Sequence, residues 1–257
     1  MQWRAIAGSW VLNPKRAKGV VHFLGGAFVG SAPQLVYDYL LQQLASAGFA
    51  VVATPYTTIP DHRETAIAAL RSLQQVLPQL DAISIPRFGL GHSLGCKLHL
   101  LGSCWEQSDP WQKSLPPRQG NILMAYSNAS LRRSIPAADW VLPPVEFEPS
   151  PTATERLIDH SYPVAQTLLV KFNRDDIDDI ASLHRQLISK FGSAVRYFTL
   201  AGDHGTSAAG ANPFVPQTDF SPLDVIGQFL YQSTHREIQQ LSKVLLQWLE
   251  HQLASVN

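Results

Sequence analysis

The sequence predicts an α/β protein built on an open, mostly parallel, doubly wound sheet. Short runs of β-branched and aliphatic residues alternate with longer segments of helical periodicity along most of the chain. Most of the short runs are apolar nearly throughout, as strands covered on both faces by helices must be. The chain has 257 residues, 45% of them hydrophobic, which suffices for one large core and excludes a disordered composition. A single domain over residues 1–257 is therefore expected.

Taken in order, WRAIAGSWVLN reads as a hairpin with Gly8-Ser9 as its turn. GVVHFLGG (19–26) is the first buried strand. PQLVYDYLLQQLASAG (33–48) sets Val36, Leu40 and Leu44 at helical spacing and stops at Gly48. The strand FAVVATPY (49–56) leads to DHRETAIAALRSLQQVL (61–77), a helix that opens with Asp61 and Glu64 spaced as a capping box. RFGLGHS (87–93) is a strand that runs into a helix carrying Leu94, Leu98 and Leu101. GNILMAYS (120–127), TLLVKFN (167–173) and AVRYFTLAGDH (194–204) read as further strands. THREIQQLSKVLLQWLEHQL (234–253) repeats the capping-box spacing with Thr234 and Glu237. It gathers Ile238, Leu241, Leu245, Trp248 and Leu249 on one face. The rhythm stops between residues 128 and 166, where Pro136, Pro143, Pro144, Pro149, Pro151 and Pro163 cluster. A long irregular stretch in a compact domain is usually a lid or binding loop, so a lid-like insertion is expected there.

Lys plus Arg equals Asp plus Glu at 20 each, so nothing in the charge calls for a nucleic acid or an anionic membrane as partner. Cys96 and Cys104 would lie about 12 Å apart along one helix, too far for a disulfide, which favours a reducing compartment. MQWRAIAGSWVLNP lacks an apolar run of signal-peptide length and no later run reaches transmembrane length. A soluble cytoplasmic protein is expected, with no transmembrane segment. Oligomeric state is not legible.

The chemistry centres on GLGHSLGCKLHLL (89–101). Ser93 stands between Gly91 and Gly95 at a strand-to-helix corner, the G-x-S-x-G pattern of a nucleophile held on a strained turn. The glycines remove β-carbons that would collide there, and the hydroxyl sits above a helix N-terminus that favours negative charge. A serine needs a base. Of nine histidines, His62, His184, His235 and His251 fall on polar helical positions and read as solvated, and His99 reads as core. His92 points away from Ser93 by strand alternation. His204, in the glycine-flanked loop LAGDHGTS at the end of the last strand, is the first choice as base, with His22 and His160 as alternatives. The acid that orients it should follow the penultimate strand, in TLLVKFNRDDIDD. Asp175 is the first choice and Asp176 the second, while Asp178 and Asp179 suit the first turn of the next helix.

The order Ser93, Asp175, His204 matches that of the α/β-hydrolase superfamily, which the chain resembles from about residue 19 to its end. GHSLG looks like that family's nucleophile elbow, FLGGAFVGS like its oxyanion loop and GDH like its histidine loop. More narrowly, FLGGAFVGSAPQLVYDYLL with LLVKFNRDDID is similar to an uncharacterised cyanobacterial and chloroplast branch of the superfamily. The resemblance implies an eight-stranded, mostly parallel sheet, a Ser-Asp-His triad and no cofactor, and the absence of H-x-x-x-H and C-x-x-C spacings argues against a metal. The resemblance also implies oxyanion donors at Leu94 and at Gly26 or Ala27. Three departures are visible, one being the stretch of nearly thirty residues between His204 and the final helix, longer than the minimal fold needs. Leu24-Gly25-Gly26 stands where many members have His-Gly, and Phe172 where a glycine usually precedes the acid loop.

Ile135, Trp140, Val141, Leu142, Val145 and Phe147, with the apolar residues of 214–230, would form either a satellite core or a greasy cover over the catalytic edge. The second reading favours a small-molecule apolar ester or thioester, hence an esterase, lipase-like enzyme or thioesterase. Acyl transfer to another acceptor uses the same groups. A non-catalytic binding or scaffolding protein on the same fold is the reading of a different class.

Overall fold

The computed structural model describes residues 1–106, 117–130, 146–208 and 235–255. Its strands are β1 (Arg4–Ile6), β2 (Ser9–Leu12), β3 (Gly19–Leu24), β4 (Phe49–Ala53), β5 (Arg87–His92), β6 (Arg118–Met124), β7 (Thr167–Phe172) and β8 (Val195–Leu200). They form one eight-stranded sheet in the order β1-β2-β4-β3-β5-β6-β7-β8. Strands β3 to β8 run parallel, and the β1–β2 hairpin joins antiparallel to β4. The hairpin turn falls on Ala7 and Gly8, with φ of 46° and 77°, one residue before the Gly8-Ser9 turn expected. Positive φ at both central residues matches the twist of the flanking strands and frees Ser9 to pair with Ile6.

The described helices are α1 (Pro33–Val36), α2 (Asp38–Ser46), α3 (His62–Val76), α4 (Leu94–Glu106), α5 (Pro151–Ser161), α6 (Ile180–Phe191) and α7 (His235–Ala254). The strands separate their side chains by parity. Val21, Phe23, Val51, Phe88, Leu90, Ile122, Met124, Leu168, Val170 and Phe172 pack with Leu40, Leu41 and Leu44 of α2 and with Ile238, Leu241, Leu245 and Leu249 of α7. On the opposite face, Val20 and Val52 meet Leu73 and Val76 of α3. Leu123 and Leu169 there meet Leu100 of α4, Ile158 of α5 and Leu183 of α6. Two covered faces account for the near-continuous apolar runs.

Three expectations need correction or completion. The helix read over 33–48 breaks at Tyr37, whose φ of −111° and ψ of 16° leave the helical range and whose side chain is buried. The irregular stretch expected over 128–166 contains α5. Pro151 sits in its first turn, Ser150 Oγ accepts the Ala153 N–H at 3.3 Å, and Thr154 and Ile158 are buried. Pro151 marks a helix start, where a missing N–H costs nothing. Residues 131–145 of that stretch, like Thr234 and the apolar residues of 214–230, lie outside the described residues. The other capping box forms at its acidic end, with Asp61 Oδ1 accepting the Glu64 N–H at 2.8 Å.

The order in which strands are added reverses between the parallel neighbours β3 and β5, so the crevice beyond their carboxyl ends is the place where an open α/β sheet leaves room for a ligand. At the other end, Glu106 closes α4 onto the starts of β5 and β6. Its carboxylate meets Arg87 Nη1 at 3.1 Å and Arg118 Nη2 at 3.1 Å, all three side chains being nearly buried. Burial pushes the Glu106 carboxyl pKa up, but Arg118 and Arg87 outweigh it and bring it down to about 2. A pKa depressed on folding adds stability that is complete above the unfolded value and lost as pH falls. Between pH 4.5 and about 2 the protein should lose roughly 3 kcal/mol from this group. Replacing Glu106 by Ala should cost about 3–5 kcal/mol at neutral pH, because two nearly buried guanidinium groups lose the carboxylate they share. Urea unfolding of both proteins at pH 7, and of the wild type from pH 4.5 down to about pH 2, measures both effects.

Candidate active site

Ser93 follows β5 directly and precedes α4, with φ of 52°. That left-handed backbone is unfavourable for a residue with a β-carbon and is held by its surroundings. The Ser93 N–H donates to Met124 O at 3.0 Å and its carbonyl accepts the Cys96 N–H at 3.1 Å. Both flanking glycines are required by close approach. A β-carbon on Gly91 would lie 2.7 Å from the Cys96 backbone, and one on Gly95 only 2.0 Å from Leu24 O. The helix therefore lies against the end of β3, and the loop after β3 arrives beside the serine. A β-carbon on Gly26 would sit 3.4 Å from Ser93 Cβ.

The structure brings together the three residues singled out for the triad. His204 Nε2 lies 3.0 Å from Ser93 Oγ, and His204 Nδ1 lies 2.8 Å from Asp175 Oδ2. Asp175 Oδ1 accepts the Ile177 N–H at 3.1 Å. Burial pushes the Asp175 pKa up, but the His204 hydrogen bond and charge, the Ile177 N–H and Lys171 together hold it below the usual value. An ionised carboxylate only accepts, so His204 carries a proton on Nδ1, and its neutral form turns a bare Nε2 to the serine.

The two loops are stitched to each other. Asn173 N–H donates to Leu200 O at 2.9 Å, Arg174 N–H to Gly202 O at 2.9 Å, and Gly202 N–H to Asn173 Oδ1 at 3.1 Å. The neighbouring carboxylates have other duties. Asp176 is exposed. Asp178 accepts the Ile180 N–H at 3.0 Å and pairs with Lys171 Nζ at 2.5 Å, and Asp179 accepts the Asn128 N–H at 2.8 Å. Asp203 turns inward on its own loop and accepts the Gly205 N–H at 3.0 Å.

The remaining histidines separate clearly. His160 is exposed on α5, its Nδ1–H bonded to Arg156 O at 2.7 Å. His22 is buried in β3 against Thr54 Oγ1 at 3.0 Å, and burial pushes its pKa down to about 3. His62, expected in solvent, is buried under Phe147, ring centroids 4.2 Å apart, because the chain at Glu148 folds back over the start of α3. His92 keeps to the face of Phe88 and Leu90, as alternation expects, and its ring lies there beside Tyr37 and His204. His92 Nε2–H donates to His204 O at 2.8 Å and the ring centroids are 5.0 Å apart. No periodicity signals this contact, which depends on a loop arriving from 112 residues later.

The Gly26 N–H is committed. It donates to Tyr37 Oη at 2.9 Å, which takes Gly26 out of the donor pair expected from the resemblance. Among the described residues, nothing engages the N–H of Ala27 or of Leu94. Phe28, next along, has φ of 63° and ψ of −52° and centres a tight turn in which Val29 N–H reaches Ala27 O at 2.7 Å.

A family model described as "Protein of unknown function (DUF1350)" matches residues 2–251. The chain belongs to the DUF1350 family. Solved structures similar to it include a sugar hydrolase from Lactococcus lactis, at TM-score 0.61 and 17% identity over 98% of this chain and 99% of that one. A dienelactone hydrolase from Anabaena variabilis has TM-score 0.59 and 12% identity over 95% and 90% of the two chains. A monoacylglycerol lipase from Paleococcus ferrophilus has TM-score 0.58 and 14% identity over 98% and 100%. No curated protein matches the chain in sequence. At these identities the likeness concerns the fold, and this DUF1350 protein has the α/β-hydrolase fold.

The close approach at Gly95 is testable without any substrate. Gly95→Ala should destabilise the DUF1350 protein by about 3 kcal/mol or more, because the colliding atom is backbone and cannot rotate away. Ser93→Ala should move the urea midpoint little. Equal midpoints for wild type and Gly95→Ala would contradict the geometry.

Proposed function

We propose that this protein is a serine hydrolase that cleaves an ester or thioester of an apolar acyl group through an acyl-enzyme on Ser93, within one domain spanning 1–257. The observation that carries the reading is the unbroken hydrogen-bonded line from Ser93 Oγ through His204 to Asp175, at 3.0 and 2.8 Å. His204 Nε2 accepts the serine proton as Oγ attacks the carbonyl carbon, and Asp175 stabilises the imidazolium and holds its tautomer. The N–H groups of Ala27 and Leu94 receive the developing oxyanion, Leu94 adding the positive end of α4. His204 then returns the proton to the leaving oxygen or sulfur, and water repeats the cycle to release the acid.

Support for an apolar substrate comes from Phe28, Leu35 and Ile177, large side chains left exposed on or beside the loops of the catalytic edge. The solved structures of like fold include a carboxyl esterase and a monoacylglycerol lipase, in keeping with this class. Cytoplasmic location is part of the proposal. Cys96 and Cys104 are buried free thiols, and among the described residues no helix is long and apolar enough to cross a membrane.

A fluorophosphonate probe should modify Ser93 alone, and Ser93→Ala should abolish both labelling and ester hydrolysis. A folded wild type that resists both the probe and a small sulfonyl fluoride would favour the scaffolding reading. Asp175→Asn should lower kcat by about 10⁴-fold with folding intact, since the amide holds the wrong imidazole tautomer. Across p-nitrophenyl esters of rising chain length, kcat/KM should increase from acetate to longer acyl groups, and a flat or falling series would remove the apolar acyl site.

A further inference from the structure

His92 and Tyr37 lie outside the proton path, yet they join its parts. Four groups form one line: Gly26 N–H to Tyr37 Oη at 2.9 Å, Tyr37 Oη to His92 Nδ1 at 2.8 Å, and His92 Nε2 to His204 O at 2.8 Å. Every proton in it is assigned by elimination. The His204 carbonyl can only accept, so His92 carries hydrogen on Nε2. A neutral ring then presents a bare Nδ1, to which the Tyr37 hydroxyl must donate. The phenol oxygen keeps a lone pair, and the Gly26 N–H fills it.

The line is buried, with Tyr37 1% and His92 5% exposed. Burial first, and the neighbouring His204 second, push the His92 pKa down to about 3, Asp175 opposing. The ring therefore stays neutral at working pH and the directions persist. One end of the line is the loop that carries Ala27, and the other is the backbone of the residue that faces Ser93. Its middle is the residue immediately before Ser93. The break between α1 and α2, which the sequence gives no reason to expect, is what turns Tyr37 into this position.

Resting on the hydrolase reading above, we infer that Tyr37 and His92 are positioning residues, a strut that sets the oxyanion loop and the His204 loop at fixed distances from Ser93. The strut makes no contact with the reacting atoms. Misplacing a catalytic group by about 1 Å can cost about 10²-fold in rate, so a loosened strut lowers the chemical step and leaves binding largely unchanged.

The two halves of the strut can be cut separately. Tyr37→Phe removes the link to the oxyanion loop, His92→Asn keeps only an acceptor near the Nδ1 position, His92→Gln keeps only a donor near Nε2, and His92→Phe keeps neither. The readout is fluorophosphonate inactivation of the full chain, resolved into the maximal rate and the half-saturating probe concentration, with the folded fraction measured in the same samples. Labelling of wild type at Ser93 establishes the hydrolase reading on its own, and an inert wild type overturns that reading and the strut with it. Given labelling, Tyr37→Phe and His92→Phe should lower the maximal rate per folded molecule by about 10²-fold, with half-saturation within about twofold. Asn and Gln at position 92 should each recover about tenfold over Phe. Rates within about threefold of wild type for Tyr37→Phe and His92→Phe would overturn the inference, as would losses explained entirely by the unfolded fraction. If Tyr37→Phe does not fold, the ranking of Asn and Gln above Phe at position 92 decides, and no recovery overturns it.

Discussion

The contact on which the rest of the site depends is that of Gly95 with the end of β3. At 2.0 Å from an ideal β-carbon to Leu24 O, the two backbones are as close as hydrogen atoms allow. This contact sets the Ser93 corner directly against the loop after β3, backbone to backbone, with no flexible side chain between them. Because β3 and β5 are also sheet neighbours, in register from Val20↔Arg87 to Leu24↔Gly91, the loop beyond Leu24 has little freedom left when it reaches Ser93. The positive φ at Ser93 is tolerated because β6, through Met124 O, and α4 hold the corner from both sides.

The same unit is fixed at its far end by charge. Glu106 lies one helix length from Ser93 and bridges two buried arginines at the starts of β5 and β6. Strand, corner and helix thus form a bracket fastened at both ends, by backbone contact above and by an ion cluster below. Such a cluster is poor as a source of net stability against an apolar replacement, since desolvation offsets most of its attraction, but removing one member is costly. The acid and histidine loops are treated differently. They are fastened to each other by backbone and Asn173 hydrogen bonds and meet the bracket through side chains and through His92.

The parts legible in the sequence were those with a period or a spacing. The buried strands, the parity of their side chains, the Ser93 corner and the order Ser, Asp, His all depend on residues near one another in the chain, or on a loop's position after a strand. The parts that were not legible depend on distant segments arriving at one point. Proline-rich 149–151 looked like loop because only the cap at Ser150 distinguishes a helix start from a turn. His62 looked solvated because the chain that covers it comes from residues 147–148. Gly26 looked like an oxyanion donor because its partner, Tyr37, lay inside a segment that reads as unbroken helix. Choosing Asp175 over its three neighbours by nearness to the strand end agrees with the observed contact, and the reason is geometric. Asp178 and Asp179 are already past the turn and serve α6 and the loop at Asn128.

The electrostatics around His204 follow from burial acting on opposite chemistries. Asp175 and His92 both touch its loop or ring, and both are buried. Burial works against charge in each case, yet Asp175 is compensated by hydrogen bonds and remains a carboxylate, while His92, with only a phenol and a carbonyl as partners, stays neutral. On the hydrolase reading proposed above, reversing the second outcome would be costly for catalysis. A positive His92 with its ring 5.0 Å from His204 would oppose the imidazolium by about 3 kcal/mol at an effective dielectric of about 20. That is enough to slow proton removal from Ser93 about a hundredfold. A neutral, doubly hydrogen-bonded imidazole is thus well suited to this position. It ties the loop through two hydrogen bonds, and in the proposed mechanism it leaves the single carboxylate of Asp175 unopposed in stabilising the proton that His204 takes.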